Sequence, residues 1–222
     1  MHIPDGFVGG AVNATTAAFS AAGTGLALWR ARKSLDDRLT PLLSVTAAFV
    51  FAAQMLNFPI AGGTSGHLLG GVLAAVLLGP WNALLVMTVV LVIQCLAFGD
   101  GGVTALGSNI FNMGWIDVVA GYGLFRVIQA ILPKTRGAFM AAVAVASWAG
   151  VVAAAMACAA ELAISGTIPL GIGLPAMVGV HALIGIGEAI ITTAAVSVVL
   201  LNRPDLVSTF QLRLPAAQGA EA

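Results

Sequence analysis

The chain has 222 residues, 59% hydrophobic and only 8% charged, against roughly 25% charged in a soluble globular domain. Net charge is zero and mean hydropathy is +1.02. A soluble domain is excluded, and long continuous apolar runs count against a lipid-facing barrel, whose strands alternate apolar and polar residues. An all-α integral membrane protein remains.

Residues 1–10 lack the basic start and apolar core of a cleavable signal peptide, so the mature chain is expected to begin at Met1 or His2. A spanning helix needs about 20 apolar residues. Candidate spans are 11–28, 41–57, 67–79, 81–98, 108–131, 138–164 and 176–201. The expected fold is therefore a seven-transmembrane-helix bundle, one domain over 1–203, with a polar cytoplasmic tail over 204–222. The third span is short and follows Ala61-Gly62-Gly63-Thr64-Ser65-Gly66. A broken or re-entrant segment is expected there, pointing into protein or a cavity, because unpaired backbone is not tolerated against lipid.

With seven spans, all nine basic residues fall on one side: Arg30, Arg32, Lys33, Arg38, Arg126, Lys134, Arg136, Arg203 and Arg213. The positive-inside bias makes that side cytoplasmic and puts the N-terminus outside. Residues 1–10, the loops 58–66, 99–107 and 165–175, and the histidine-bearing ends of spans three and seven then share the outer face.

Met1-His2 offers an ion three nitrogens in fused chelate rings: the α-amine, the deprotonated amide of His2 and its imidazole. Histidine is too large for the usual removal of the initiator, so Met1 is expected to stay. A fourth nitrogen completes a square, the geometry of Ni(II) and Cu(II), whereas zinc prefers a tetrahedron. Capture displaces an amide proton and should weaken at low pH. The remaining histidines are His67 and His181; His67, beside the glycine-rich loop, is the preferred donor.

Asp117, Glu161 and Glu188 lie within or at the ends of apolar spans, where an acid is a functional candidate. His181 and Glu188, seven residues apart, share a helix face and form either a polar track, a support for the ligands or a helix-to-helix hydrogen bond. Asn57, Asn109, Asn112 and Gln94 read as interhelical glue or ligand support. Asp5 and Asp100 either attract cations or cap helices. Cys95 and Cys158 read as small buried hydrophobes.

Five stretches together carry a family resemblance. They are Met1-His2-Ile3-Pro4-Asp5-Gly6-Phe7, Gly62-Gly63-Thr64-Ser65-Gly66-His67-Leu68-Leu69-Gly70, Phe98-Gly99-Asp100-Gly101-Gly102, Asn109-Ile110-Phe111-Asn112-Met113-Gly114 and His181-Ala182-Leu183-Ile184-Gly185. They resemble the substrate-capture components of nickel/cobalt energy-coupling factor transporters. The resemblance implies a bundle with one helix beyond the usual six, and metal held by the amine of Met1, the amide and imidazole of His2, and the imidazole of His67. Ser65, Asp100, Asn109, His181 and Glu188 are candidates for supporting the ligands or forming an ion path. Nickel is favoured over cobalt by Pro4-Asp5 and by a square nitrogen site. The implied partners are a transmembrane scaffold protein, a pair of ATPases and a small accessory membrane subunit, in the cytoplasmic (inner) membrane; no nucleic acid is expected. The chain has no G-x-x-x-x-G-K-[ST] phosphate loop, so it is expected to be a transporter subunit without its own ATPase. The small-residue faces Ala17/Ala21 and Ala18/Ala22 pack either a partner helix or the bundle itself.

Two rivals come from other classes. Gly63-Thr64-Ser65-Gly66 with His181 has the form of a rhomboid-like Ser–His dyad. A stand-alone channel or secondary transporter would use Asp117 and Glu188 as its ion path.

Overall fold

The computed structural model describes residues 1–32, 39–60 and 64–210. Lys33, Arg38, Gly62, Gly63, Arg213 and the tail from residue 211 onward lie outside the described residues. The described residues are mostly helical. The helices are α1 (Gly10–Ala31), α2 (Leu39–Gln54), α3 (Gly71–Leu78), α4 (Pro80–Phe98), α5 (Leu106–Ile110), α6 (Gly121–Ile131), α7 (Arg136–Ile164) and α8 (Leu170–Asn202). A π-helical stretch, Phe111–Ala120, joins α5 to α6, and a single 3-10 turn, Pro204–Leu206, follows α8. The strands β1 (Phe58–Ile60) and β2 (Thr64–Gly66) form an antiparallel hairpin with Pro59 opposite Ser65.

Among the described residues, α4, α7 and α8 are long and apolar enough to cross a membrane. Helix α2 is apolar but shorter. The expected third span is an eight-residue helix, α3, entered through extended chain and buried at every position. The expected fifth span is a composite of α5, the π-helical stretch and α6. Phe19, Trp29, Phe49, Leu96, Ile131, Leu183 and Leu201 are exposed large apolar side chains, suited to lipid and costly in water.

Local sequence sets the breaks. Gly79, at φ 80°, separates α3 from α4, and Pro80 opens α4 where a missing N–H does no harm. Gly99, left-handed at φ 65°, closes α4. Helix α1 buries its small face, Thr16, Ser20, Gly23 and Ala27. Thr16 and Ser108 share a hydroxyl hydrogen bond at 2.8 Å, and Ser20 donates to the Gly107 carbonyl at 2.8 Å. Ala17, Ala18, Ala21 and Ala22 remain exposed.

Two ends of the molecule are distinct. The Arg30 guanidinium lies 5.5 Å over the Trp81 ring, at the start of α4. Asp100, just past the other end of α4, meets His2. The 19 residues of α4 separate these points by about 28 Å. The start of the expected tail packs at the basic end: Val207 is buried, and Phe210 meets Phe139 edge-on.

Candidate metal site

The N-terminal segment is drawn into the bundle. Met1, His2 and Ile3 are all buried. Asn109 pairs with Ile3 as a strand neighbour would: its Oδ1 accepts the Ile3 N–H at 2.8 Å and its Nδ2 donates to the Ile3 carbonyl at 3.2 Å. The Gly102 N–H also donates to that carbonyl, at 2.8 Å. A Cβ on Gly102 would collide with Asp5, so glycine lets the 99–102 turn lie directly against the first residues. Asp5 Oδ1 accepts from the Thr104 N–H at 2.7 Å and the Thr104 hydroxyl at 2.6 Å, and these two bonds hold the Asp5 carboxyl below its ordinary range.

This docking brings together nitrogens from three parts of the chain. The Met1 amine donates to Ser65 Oγ at 2.9 Å, and the His2 amide donates to the same oxygen at 3.1 Å. Burial drives the amine down to about 4, against the opposing influence of Cys158 and Asp100, so at neutral pH it carries a free lone pair. The His2 imidazole is also held below its ordinary value, by burial first, with Asp100 opposing.

The ring of His2 meets Gln94 at one nitrogen and Asp100 at the other. Nε2 lies 3.1 Å from Gln94 Oε1, and Nδ1 lies 3.1 Å from Asp100 Oδ1. With the proton on Nε2, donated to Gln94, Nδ1 turns a lone pair towards the Asp100 carboxylate. A lone pair facing a carboxylate is unfavourable unless a proton or a metal cation lies between them. Burial raises the Asp100 carboxyl, but His2, the amine and Asn57 together bring it down, so it stays anionic. Asn57 donates to its other oxygen at 3.0 Å.

The His67 ring stacks on His2 with centroids 4.6 Å apart and planes 21° apart. Its Nδ1 is 2.7 Å from the Leu68 carbonyl, which fixes the proton there and leaves Nε2 a buried acceptor with no partner. His181 repeats the pattern on α8: Nδ1 is 2.8 Å from the Met177 carbonyl, and Nε2 is buried and unpartnered. His181 lies within electrostatic reach of His67 and of the amine. A cavity of about 410 Å³, lined by His2, Asp5, Asn57, Ser65 and Asp100 among others, opens above His2. Its acids favour cation entry.

The other expected residues fall elsewhere. Both Glu188 carboxylate oxygens and one of Asp117 accept backbone N–H groups at the start of α3. Glu188 does not hydrogen-bond His181, although both lie on the buried stripe of α8. Glu161 accepts from Asn112 at 2.9 Å. The Ser65–His181 dyad is not assembled: Ser65 Oγ accepts from Met1 and His2, and His181 Nε2 has no partner. Gln54 was not singled out by sequence, yet it is fully buried and donates to the Leu69 carbonyl at 2.6 Å. Its signal was a lone amide in the apolar run Val50-Phe51-Ala52-Ala53-Gln54. Among the described residues no three His, Cys, Asp or Glu side chains group as a metal site. Any nitrogen-rich site here must enlist the main chain.

A helical membrane bundle with buried, open imidazole nitrogens below an acidic mouth is the architecture of a transmembrane metal-transport component. The comparisons agree. Residues 2–206 match the family described as the cobalt uptake substrate-specific transmembrane region, CbiM, and the chain belongs to that family. A putative metal transport protein of Haloquadratum walsbyi is 45% identical over 211 residues, spanning 94% of each chain. A putative fused nickel transport protein of Archaeoglobus fulgidus is 43% identical over 209 residues, covering 93% of this chain and 68% of that one. The crystal structure of a truncated transition metal transporter superposes with a TM-score of 0.83 at 36% identity, covering 90% of this chain and 99% of its own. The protein is thus a membrane-embedded, substrate-specific component of nickel or cobalt transport.

Proposed function

We propose that this chain captures Ni(II), with Co(II) as the alternative ion, through four nitrogens: the Met1 amine, the His2 amide, His2 Nδ1 and His67 Nε2. One observation carries the proposal. Two buried imidazole nitrogens, His2 Nδ1 facing the Asp100 carboxylate and His67 Nε2 without a hydrogen-bond partner, lie in stacked rings 4.6 Å apart, beside an amine and an amide that converge on one oxygen. Two imidazoles on neighbouring corners of one ion, at about 2 Å per metal–nitrogen bond, have ring centroids roughly 4.4 Å apart. The amine and amide supply the two remaining corners.

Seven membrane segments, with the N-terminus outside and the basic end in the cytoplasm, complete the reading. The charge distribution and the separation of the His2 mouth from the Arg30–Trp81 end support it. Asp100 and Asp5 draw the ion to the mouth. Energy comes from partners, a transmembrane scaffold and ATPases of the energy-coupling factor type in the cytoplasmic membrane, and the chain itself performs no hydrolysis. The exposed alanines of α1 offer a close-packing face for such a scaffold.

The test is metal analysis of the C-terminally tagged protein after exposure to equal nickel, cobalt, copper and zinc. About one nickel or cobalt per chain is expected, lost when a residue is placed before Met1, because the amine then becomes an amide. Retention of the metal by the extended chain would overturn the ligand set.

A further inference from the structure

We infer that Glu188 and Asp117 are positioning residues for His67, acting through the backbone at the start of α3; the inference rests on the ligand set proposed above. The His67 ring receives no hydrogen bond from another element. Nδ1 is tied to its own neighbour, the Leu68 carbonyl, and Nε2 is free. The direction of Nε2 therefore follows from the path of residues 67–70.

That path is held almost entirely by side chains. The Leu69 N–H donates to Glu188 Oε2 at 2.8 Å, the Gly70 N–H to Glu188 Oε1 at 2.7 Å, and the Gly71 N–H to Asp117 Oδ2 at 2.9 Å. Gln54 takes the Leu69 carbonyl at 2.6 Å. Three successive amides at a helix start have no intrahelical partner, and the positive end of the helix dipole favours anions there. In a membrane interior no water can substitute for the carboxylates. Gly70 is left-handed at φ 79°, so only glycine turns the chain this sharply into α3. A Cβ on Gly71 or Gly150 would collide with the Asp117 carboxylate, so both glycines make room for it. Glu188 reaches in from α8 and Asp117 from the π-helical stretch, tying the ligand-bearing segment to two further elements.

The two acids are not equivalent. Glu188 uses both oxygens, so an amide in its place must set an NH2 against an N–H. Asp117 uses only Oδ2, and its Oδ1 has no partner. Asparagine there keeps an oxygen for the Gly71 N–H but sets an NH2 at the Oδ1 position, where nothing accepts from it, so the grip on Gly71 is loosened rather than lost.

Nickel affinity by calorimetry and the ligand-field absorption of bound nickel are measured for native protein, E188Q, D117N, H67A and E188Q/H67A. E188Q should weaken binding about 10- to 100-fold, shift the absorption to that of H67A, and add little in the H67A background. D117N should produce the same shift with a smaller loss. A monodisperse E188Q with native affinity and spectrum overturns the inference, as does an E188Q effect that adds in full to H67A. If E188Q is not recovered folded, D117N decides, and native behaviour there overturns it. An H67A variant that binds as the native chain overturns the ligand set itself. Loss in H67A with none in E188Q overturns only the positioning role.

Discussion

Ser65 Oγ lies 3.1 Å from the His2 amide nitrogen and accepts a hydrogen bond from its N–H, while accepting another from the Met1 amine at 2.9 Å. A deprotonated amide holds an ion along the direction of its former N–H. The ion and the Ser65 hydroxyl therefore compete for one place, and Ser65 must rotate to another rotamer when metal binds, a small cost. Ser65→Ala removes the competitor. The expected outcome is nickel affinity equal to or higher than native, with faster association in stopped-flow. A protease or any Ser65-dependent chemistry requires the reverse, loss of activity in this variant.

The pH dependence follows from the buried amine. Its value is about 4 in the folded chain against an ordinary 8.0. Between those values the unfolded chain carries a proton that the folded chain lacks, so this group adds stability as pH rises from about 4 to 8 and removes it as pH falls. Across that window the amine is already neutral when metal arrives. Near pH 7 nickel binding should then release about one proton per ion, that of the His2 amide. Affinity should fall about tenfold per pH unit in this range and more steeply below about 4, where the amine also protonates. Calorimetry in buffers of different ionisation enthalpy counts the protons. A release of about two near pH 7 would show that the amine is protonated before capture.

Asn109 makes two hydrogen bonds to Ile3 that fix the N-terminal segment against α5. Asn109→Ala leaves the Ile3 N–H buried without a partner, at about 1–2 kcal/mol. That energy bears on how often the segment is docked, and apparent affinity scales with the docked fraction. Nickel binding should weaken about 5- to 30-fold, with little change in the absorption spectrum of the metal once bound, because the ligand set is unchanged. A changed spectrum would place Asn109 among the ligands.

Much of this arrangement was legible in the sequence. The apolar runs gave the helices, and the short third segment after a glycine-rich loop gave α3 with its extended entrance. Met1-His2 and His67 stand out in the sequence as candidate donors, and the structure brings the His2 and His67 rings to 4.6 Å. The sequence did not show how these pieces are held. That Asn109 serves Ile3 depends on the packing of residues 1–5 against α5, and that Gln94 grips His2 Nε2 depends on which face of α4 turns inward. An apolar helix with almost uniform hydrophobicity carries no periodic signal for that face. For the same reason the sequence left Glu188 open between a polar track, a support for the ligands and a helix-to-helix hydrogen bond, and offered Asp117 an ion-path role only in a stand-alone channel. Only the three-dimensional course of residues 67–71 reveals that their partners are backbone amides.

His67 and His181 are rivals for the fourth corner of the proposed site. His67 and His181 are both buried, both have Nδ1 engaged by a backbone carbonyl, and both leave Nε2 open. Their elements differ. His67 stacks on His2 from the segment that also carries Ser65, whereas His181 projects from mid-α8 and makes no ring contact with His2. His67→Ala should leave a three-nitrogen remnant that holds nickel weakly and loses it on gel filtration. His181→Ala should retain about one nickel per chain, with affinity lowered less than tenfold. The reverse pattern, with nickel lost in His181→Ala and kept in His67→Ala, would assign the fourth corner to α8 and make the stacked His67 ring a wall of the site.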